Sequence, residues 1–207
     1  MNIDDLIVGF DRALRTLASA STSVRPYPAE HAESADLGED EKAHAAGLMR
    51  VTHSGEICAQ ALYSGQAMTA SNPVLKGELD QAAREETEHL AWTERRLEEL
   101  GARTSLLNPL WYAGSFAMGA VAGLAGDRWN LGFLSETERQ VEQHLGGHLD
   151  TLPQGDARSR AIVSQMRTDE GRHAQMAEDR GAARLPLPIR AVMRMTAKVM
   201  TTTAYRV

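Results

Sequence analysis

Two segments of this 207-residue chain, Glu86-Thr87-Glu88-His89 and Glu170-Gly171-Arg172-His173, set a carboxylate and an imidazole three residues apart. On an α-helix, positions i and i+3 project from the same face, so each pair can reach a single point. Glu-x-x-His is the ligand pair that two helices of a dimetal carboxylate bundle supply, with one inward Glu from each of two further helices. The motif alone is weak, because 17 glutamates and 7 histidines in a chain this long give about 0.6 chance occurrences. Glu41-Lys42-Ala43-His44 reads as such an accident, a solvated pair in an acidic cluster where a helix begins.

Repetition carries more weight. Glu56 lies 30 residues before Glu86, and Glu138 lies 32 residues before Glu170. The chain therefore reads as helix with Glu, helix with Glu-x-x-His, an uncharged connector, and the same pair again. Glu138 has a rival role as third residue of a capping box opened by Ser135, in which case Glu142 would point inward; the offset favours Glu138. Four carboxylates facing one low-dielectric core would repel and take up protons unless cations joined them. Two divalent ions supply +4 against −4, with two neutral imidazoles. Mixed carboxylate and imidazole donors suit iron or manganese, and the absence of thiolate argues against structural zinc. On the residues alone, His53, His144 and His148 read as core or surface polar groups and Cys58 as a small buried filler.

The elements that must position these groups are all helical. Apolar residues at helical spacing (Ile3, Leu6, Ile7, Phe10, Leu14, Leu17) predict an amphipathic helix over 3–17, followed by an aperiodic linker over 18–40 that could drape over the body. Further helices are predicted at about 40–70, 73–100, 133–152, 157–180 and 187–204. Asn72-Pro73 opens one and Asp156 another, while Gly101 and Gly181 close them. Residues 104–126 carry no charge; Asn108-Pro109 and four glycines favour a buried or surface-dipping helix over a membrane-spanning one, and Gly119-x-x-x-Gly123 allows close helix packing. The expected organisation is an N-terminal amphipathic arm and linker, 1–39, and a helical domain, 40–207.

The formal charge of −6 argues against nucleic acid as a partner. Its distribution is uneven: from Arg184 onward there are five basic residues and no acidic ones, leaving 17 basic against 28 acidic elsewhere. Arg190, Arg194 and Lys198 at i, i+4, i+8 describe a helix resting on an anionic lipid surface. Asp4, Asp5 and Asp11 interrupt any secretory signal, so the expected location is the cytoplasmic face of the plasma membrane, bound peripherally.

With helices and ligands in place, residues 40–207 resemble the demethoxyubiquinone hydroxylase family. The resemblance rests on Thr52-His53-Ser54-Gly55-Glu56, Tyr63-Ser64-Gly65-Gln66, Glu86-x-x-His89, Pro109-Leu110-Trp111, Glu138 with His144, Glu170-x-x-His173 and Tyr205. Thr52 stands where the family usually has Asp, and Ala174 where it often has a second His; neither change removes a ligand. The resemblance implies an all-α, ferritin-like four-helix bundle with a di-iron centre and extra membrane-associating helices. It implies that Glu56, Glu86, His89, Glu138, Glu170 and His173 hold two iron ions, Glu86 and Glu170 bridging. It further implies that Tyr205 and His144 stand behind the ligands and deliver protons or electrons. The implied reaction is O2-dependent hydroxylation of a polyprenylated demethoxy-benzoquinol, with reducing equivalents from NADH. Implied partners are that quinol, lipid, and a second copy or an accessory quinone-biosynthesis protein. Two other readings share parts of the pattern: a ferritin-like ferroxidase or peroxidase, and a metal-free helical interaction protein.

Overall fold

The computed structural model describes residues 3–33 and 35–207, with side chains from Ile7 onward; Ile3 and Leu6 of the predicted first stripe lie outside that set. Seven helices follow in order: α1 (Ile3–Ala18), α2 (Glu39–Thr69), α3 (Pro73–Glu99), α4 (Asn108–Leu124), α5 (Asp127–Thr151), α6 (Ala157–Asp179) and α7 (Leu187–Ala204). The described residues contain no strand.

Most boundaries have the predicted causes. Asn72 Oδ1 accepts from the Val74 amide at 2.9 Å, with Pro73 opening α3. Asp156 caps α6 through the Ser159 amide, also at 2.9 Å. Gly101 and Gly181 adopt positive φ where α3 and α6 end. The exception is α5, which begins at Asp127 rather than near 133. Gly126, with φ of 97°, breaks the chain from α4 instead. Ser135 is thus inside the helix, its hydroxyl donating to Glu178 at 3.1 Å, and no capping box holds Glu138.

α2 pairs with α3 and α5 with α6 as two hairpins; α3 also meets α6, and α2 meets α5. α4 is the crossover between hairpins and lies along α2. That contact is backbone-close: a Cβ on Gly65 would strike the Phe116 carbonyl, and one on Gly119 the Leu62 carbonyl. The small-residue pattern therefore serves packing within the protein. No described helix is long and apolar enough to cross a membrane.

The bundle buries two apolar clusters. One gathers Met49, Trp92, Leu145 and Met166; the other gathers Ala59, Leu79, Leu134 and Ala177. Each of α2, α3, α5 and α6 contributes to both, and between its two contributions each carries ionisable residues. Four apolar stripes thus break at one level, which puts a polar layer across the middle of the core. This is a ferritin-like four-helix bundle.

Outside it, α1 docks through Ala13 and Leu17 and leaves Ile7, Phe10 and Leu14 exposed. The linker does not hang free: Tyr27 and Ala29 are buried in the bundle core, and the Ala35 amide donates to the Gly155 carbonyl. In α7 only Ala204 is buried.

Candidate metal centre

The polar layer contains Glu56 from α2, Glu86 and His89 from α3, Glu138 from α5, and Glu170 and His173 from α6. None of the six exceeds 7% exposure. One donor atom each from Glu56, Glu86, His89 and Glu170 falls within a mutual 4.8 Å, and the same holds for Glu138, Glu170 and His173. Glu142, the alternative to Glu138, faces outward and pairs with Arg139 at 3.3 Å.

Two glutamates lie between the imidazoles. Glu86 presents one oxygen to His89 Nδ1 at 3.0 Å and the other to His173 Nδ1 at 3.4 Å. Glu170 does the same, at 3.2 and 3.3 Å. Glu56 reaches His89 Nδ1 alone, at 3.6 Å. Each imidazole thus turns Nδ1 to the cluster, and Nε2 points away to a carboxylate: His89 to Asp169 at 3.0 Å, His173 to Glu85 at 2.9 Å. An ionised carboxylate only accepts, so Nε2 carries hydrogen and Nδ1 is the nitrogen left for a cation.

Buried polar atoms are normally paired. Here Glu86 Oε1, both Glu170 oxygens and His173 Nδ1 are buried without hydrogen-bond partners. Four such atoms converging on one point is the arrangement a pair of cations would satisfy, and the donor set fits iron or manganese. Protons occupy the cluster otherwise. Burial, reinforced by Glu86, pushes Glu56 well above the usual carboxyl range, and burial with Glu170 does the same to Glu138. Burial is the largest single influence and would lower both imidazoles, but the surrounding carboxylates together outweigh it, Glu86 foremost at His89 and Glu170 foremost at His173, so both are raised.

Four supporting residues escaped the sequence reading in these roles. Asp169 and Glu85 directly precede the Glu of each Glu-x-x-His, and each serves the other helix's histidine; an acidic residue at that position was the readable signal. Tyr63, fully buried, donates its hydroxyl to Glu138 Oε1. Arg25, from the linker, pairs with Asp169 at 2.9 Å, and nothing in its aperiodic surroundings announces that.

Tyr205 and His144 stand together but apart from the six. Both line a groove formed by α2, α5 and α7. The Tyr205 hydroxyl bonds His44 Nδ1 at 2.7 Å, and the His144 ring packs on His148 at 4.2 Å. No described hydrogen bond joins either to a cluster carboxylate or imidazole. His44 is therefore tied to Tyr205 and the Thr151 carbonyl rather than solvated, although Glu41 is exposed as expected. His148 bonds Thr52, and His53 lies between Glu94 and Asn108. Cys58 is partly exposed rather than fully buried.

Similarity to known proteins agrees with this site. A family model described as ubiquinone biosynthesis protein COQ7 matches residues 43–204. The 3-demethoxyubiquinol 3-hydroxylase of Nitrosospira multiformis is 62% identical over 204 residues, covering 99% of this chain and 98% of its own. The protein of the same name from Dechloromonas aromatica is 59% identical over 206 residues, covering 100% of both chains. Matched over most of its length by that model and end to end by these hydroxylases, the chain belongs to the COQ7 family of ubiquinone biosynthesis proteins.

Proposed function

We propose that the protein is a 3-demethoxyubiquinol 3-hydroxylase, a di-iron monooxygenase acting on the ring of a polyprenylated demethoxy-benzoquinol. The observation that carries this is the convergence of four buried glutamates and two Nδ1 atoms, with inward oxygens unpartnered, in a chain similar to named hydroxylases end to end. The reaction takes the ring C–H, O2, two electrons and two protons to the ring C–OH and water, with NADH as the source of electrons.

Two irons bound at the cluster would supply the activation of O2. The chain's residues do the rest. Glu86 and Glu170 lie between the two imidazoles and would hold the irons together with His89 and Glu56 on one side and His173 and Glu138 on the other. Asp169 and Glu85 hold the Nε2 protons of His89 and His173, fixing tautomer and ring direction. The two apolar clusters exclude bulk water, which keeps every charge in the layer strongly felt.

The substrate's tail calls for a lipid surface, and the exposed side chains supply one. Leu110, Met118, Val121 and Leu124 of α4 are exposed, as are Ile189, Val192 and Val199 of α7. An apolar groove of about 640 Å³ joins the two helices through Met118, Val121, Trp129, Phe133 and Ile189. We assign it to the prenyl chain. Lys198 is exposed and available to anionic lipid, whereas Arg190 is engaged by Glu136 at 2.6 Å and Arg194 reaches the same carboxylate at 4.0 Å. The placement is peripheral, on the cytoplasmic face. A ferroxidase would leave these apolar surfaces without a task, and a metal-free scaffold would leave the buried carboxylates without compensation.

The test is turnover. Protein reconstituted anaerobically with Fe(II), then given demethoxyquinol in vesicles, O2 and a reductant, should hold two irons and add one oxygen atom from 18O2 to the ring. Glu170→Ala should lose both metal and product. A two-iron wild type that leaves the quinol unchanged overturns the assignment.

A further inference from the structure

Residues 21–29 form a strap along α3, flanking the face that carries His89. Its attachments are specific. The Ser23 hydroxyl and the Val24 and Arg25 amides all donate to the Glu88 carboxylate. Trp92 Nε1 donates to the Ser23 hydroxyl at 3.1 Å, and the Arg25 guanidinium lies 4.7 Å over the Trp92 ring. Tyr27 is buried beyond it, under the Arg95 guanidinium at 4.0 Å. Glu88 and Trp92 are one helical turn apart and hold the strap together, and the Trp92 ring in turn packs on the His89 ring at 5.3 Å.

What the strap delivers is Arg25 Nη1, 2.9 Å from Asp169 Oδ2. The same oxygen holds His89 Nε2 at 3.0 Å. The other Asp169 oxygen is held separately, by Gln165 at 2.9 Å and by Arg172. Asp169 is fully buried, an environment that expels an uncompensated carboxylate charge. Arg25 compensates it at the atom that orients the imidazole. Behind His173 the partner Glu85 is partly open to solvent, and its other oxygen takes only the neutral Gln81 amide, at 3.2 Å, with no direct arginine.

We infer that the N-terminal strap holds the His89 imidazole in position, with Arg25 as a positioning residue that acts through Asp169 and thereby selectively secures the metal ion on the His89 side. The metal part rests on the dimetal reading above; the placement of His89 can be read without metal.

The experiment compares wild type with Arg25→Ala, Arg25→Lys and Arg12→Ala, the last breaking the Arg12–Asp80 pair that ties α1 to α3 without touching Asp169. Stepwise Fe(II) affinities are measured anaerobically, and imidazole 15N signals are measured in the metal-free chain. Arg25→Ala should weaken one of the two Fe(II) sites roughly tenfold, the range known for groups behind metal ligands, while leaving the other within about twofold. It should move the His89 15N signals and leave those of His173 in place. Arg25→Lys should fall between, since ammonium keeps the charge but not the planar contact, and Arg12→Ala should match wild type. Equal weakening of both sites, reproduced by Arg12→Ala, overturns the inference in favour of a merely structural strap. A wild type that takes up no Fe(II) overturns the dimetal reading instead. His89 signals unmoved by Arg25→Ala overturn the strap's role whatever the metal result.

Discussion

The two hairpins supply matching ligands but unequal surroundings. In each, an acidic residue precedes the Glu of Glu-x-x-His and reaches across to the opposite histidine: Asp169 of α6 holds His89 of α3, and Glu85 of α3 holds His173 of α6. The exchange makes each hairpin dependent on the other for ligand orientation. Yet the Asp169 side chain is wholly buried and paired directly with Arg25 and Arg172, whereas that of Glu85 is 31% exposed and its second oxygen takes only the neutral Gln81. The lesson is that a duplicated ligand set does not make duplicated sites. The His89 side is the rigid one, and the His173 side borders solvent.

Charge-neutral replacements of the anchors probe this most directly. Asp169→Asn and Glu85→Gln both keep an oxygen that can accept from Nε2, so what each removes is charge. Asp169→Asn should cost about 10- to 100-fold in affinity for one Fe(II) ion, since Arg25 also loses its counter-charge. Glu85→Gln should cost only a few-fold, because solvent already screens that pair. Competition against a chelator, resolved into two steps, reads both values. Equal losses would mean that burial does not distinguish the sides.

The six clustered side chains, the candidate ligands, were legible because a doubled pattern constrains more than any single motif, and the helices because their stripes and caps are local. Exceptions arose wherever distant chain decides. Ser135-Glu136-Thr137-Glu138 imitates a helix start, but the left-handed Gly126 breaks the chain earlier, and Gly132 packs on the Ala183 backbone inside the resulting turn. Glu85 and Asp169 were marked only by their place directly before the Glu of each Glu-x-x-His, since by residue type they match the solvated charges common on helices. Arg25 sits among residues with no periodicity, so only tertiary contact reveals its partner. His44 looked like surface until the end of α7 placed Tyr205 against it. Tyr205 and His144 were suggested by resemblance, and periodicity already sets His144 apart: six residues after Glu138 is about 240° around the helix.

Protons should restore some of the symmetry. Without metal, Glu56 and His89 on one side, and Glu138 and His173 on the other, all have their pKa values raised and so bind protons more tightly than free side chains. Metal needs these donors bare, so binding releases protons and affinity must rise with pH. Each proton released per ion steepens the dependence by about tenfold per pH unit. Fe(II) affinity measured anaerobically between pH 6 and 8, with proton release followed in weak buffer, should give similar slopes for the two ions. Unequal slopes would extend the asymmetry of the anchors to the ligands, and a flat profile would contradict the raised values.

Tyr63 makes the smallest difference between the sides and has no counterpart. It comes from α2 of the first hairpin, yet its hydroxyl donates to Glu138 of the second, and no described tyrosine serves Glu56. Burial, with Glu138 adding to it, pushes the phenol well above its ordinary value, so it keeps the hydrogen that it donates to Glu138. In the metal-free chain Tyr63→Phe removes a buried donor and leaves one Glu138 oxygen unpaired. That should cost about 1 kcal/mol, or roughly 2–4 °C of Tm for a chain of this size. Metal would give Glu138 a new partner, so the loss should shrink once Fe(II) is bound. Thermal unfolding of both forms, with and without Fe(II), tests this. A Tm deficit of the same size in both would show that Tyr63 supports packing and not the carboxylate.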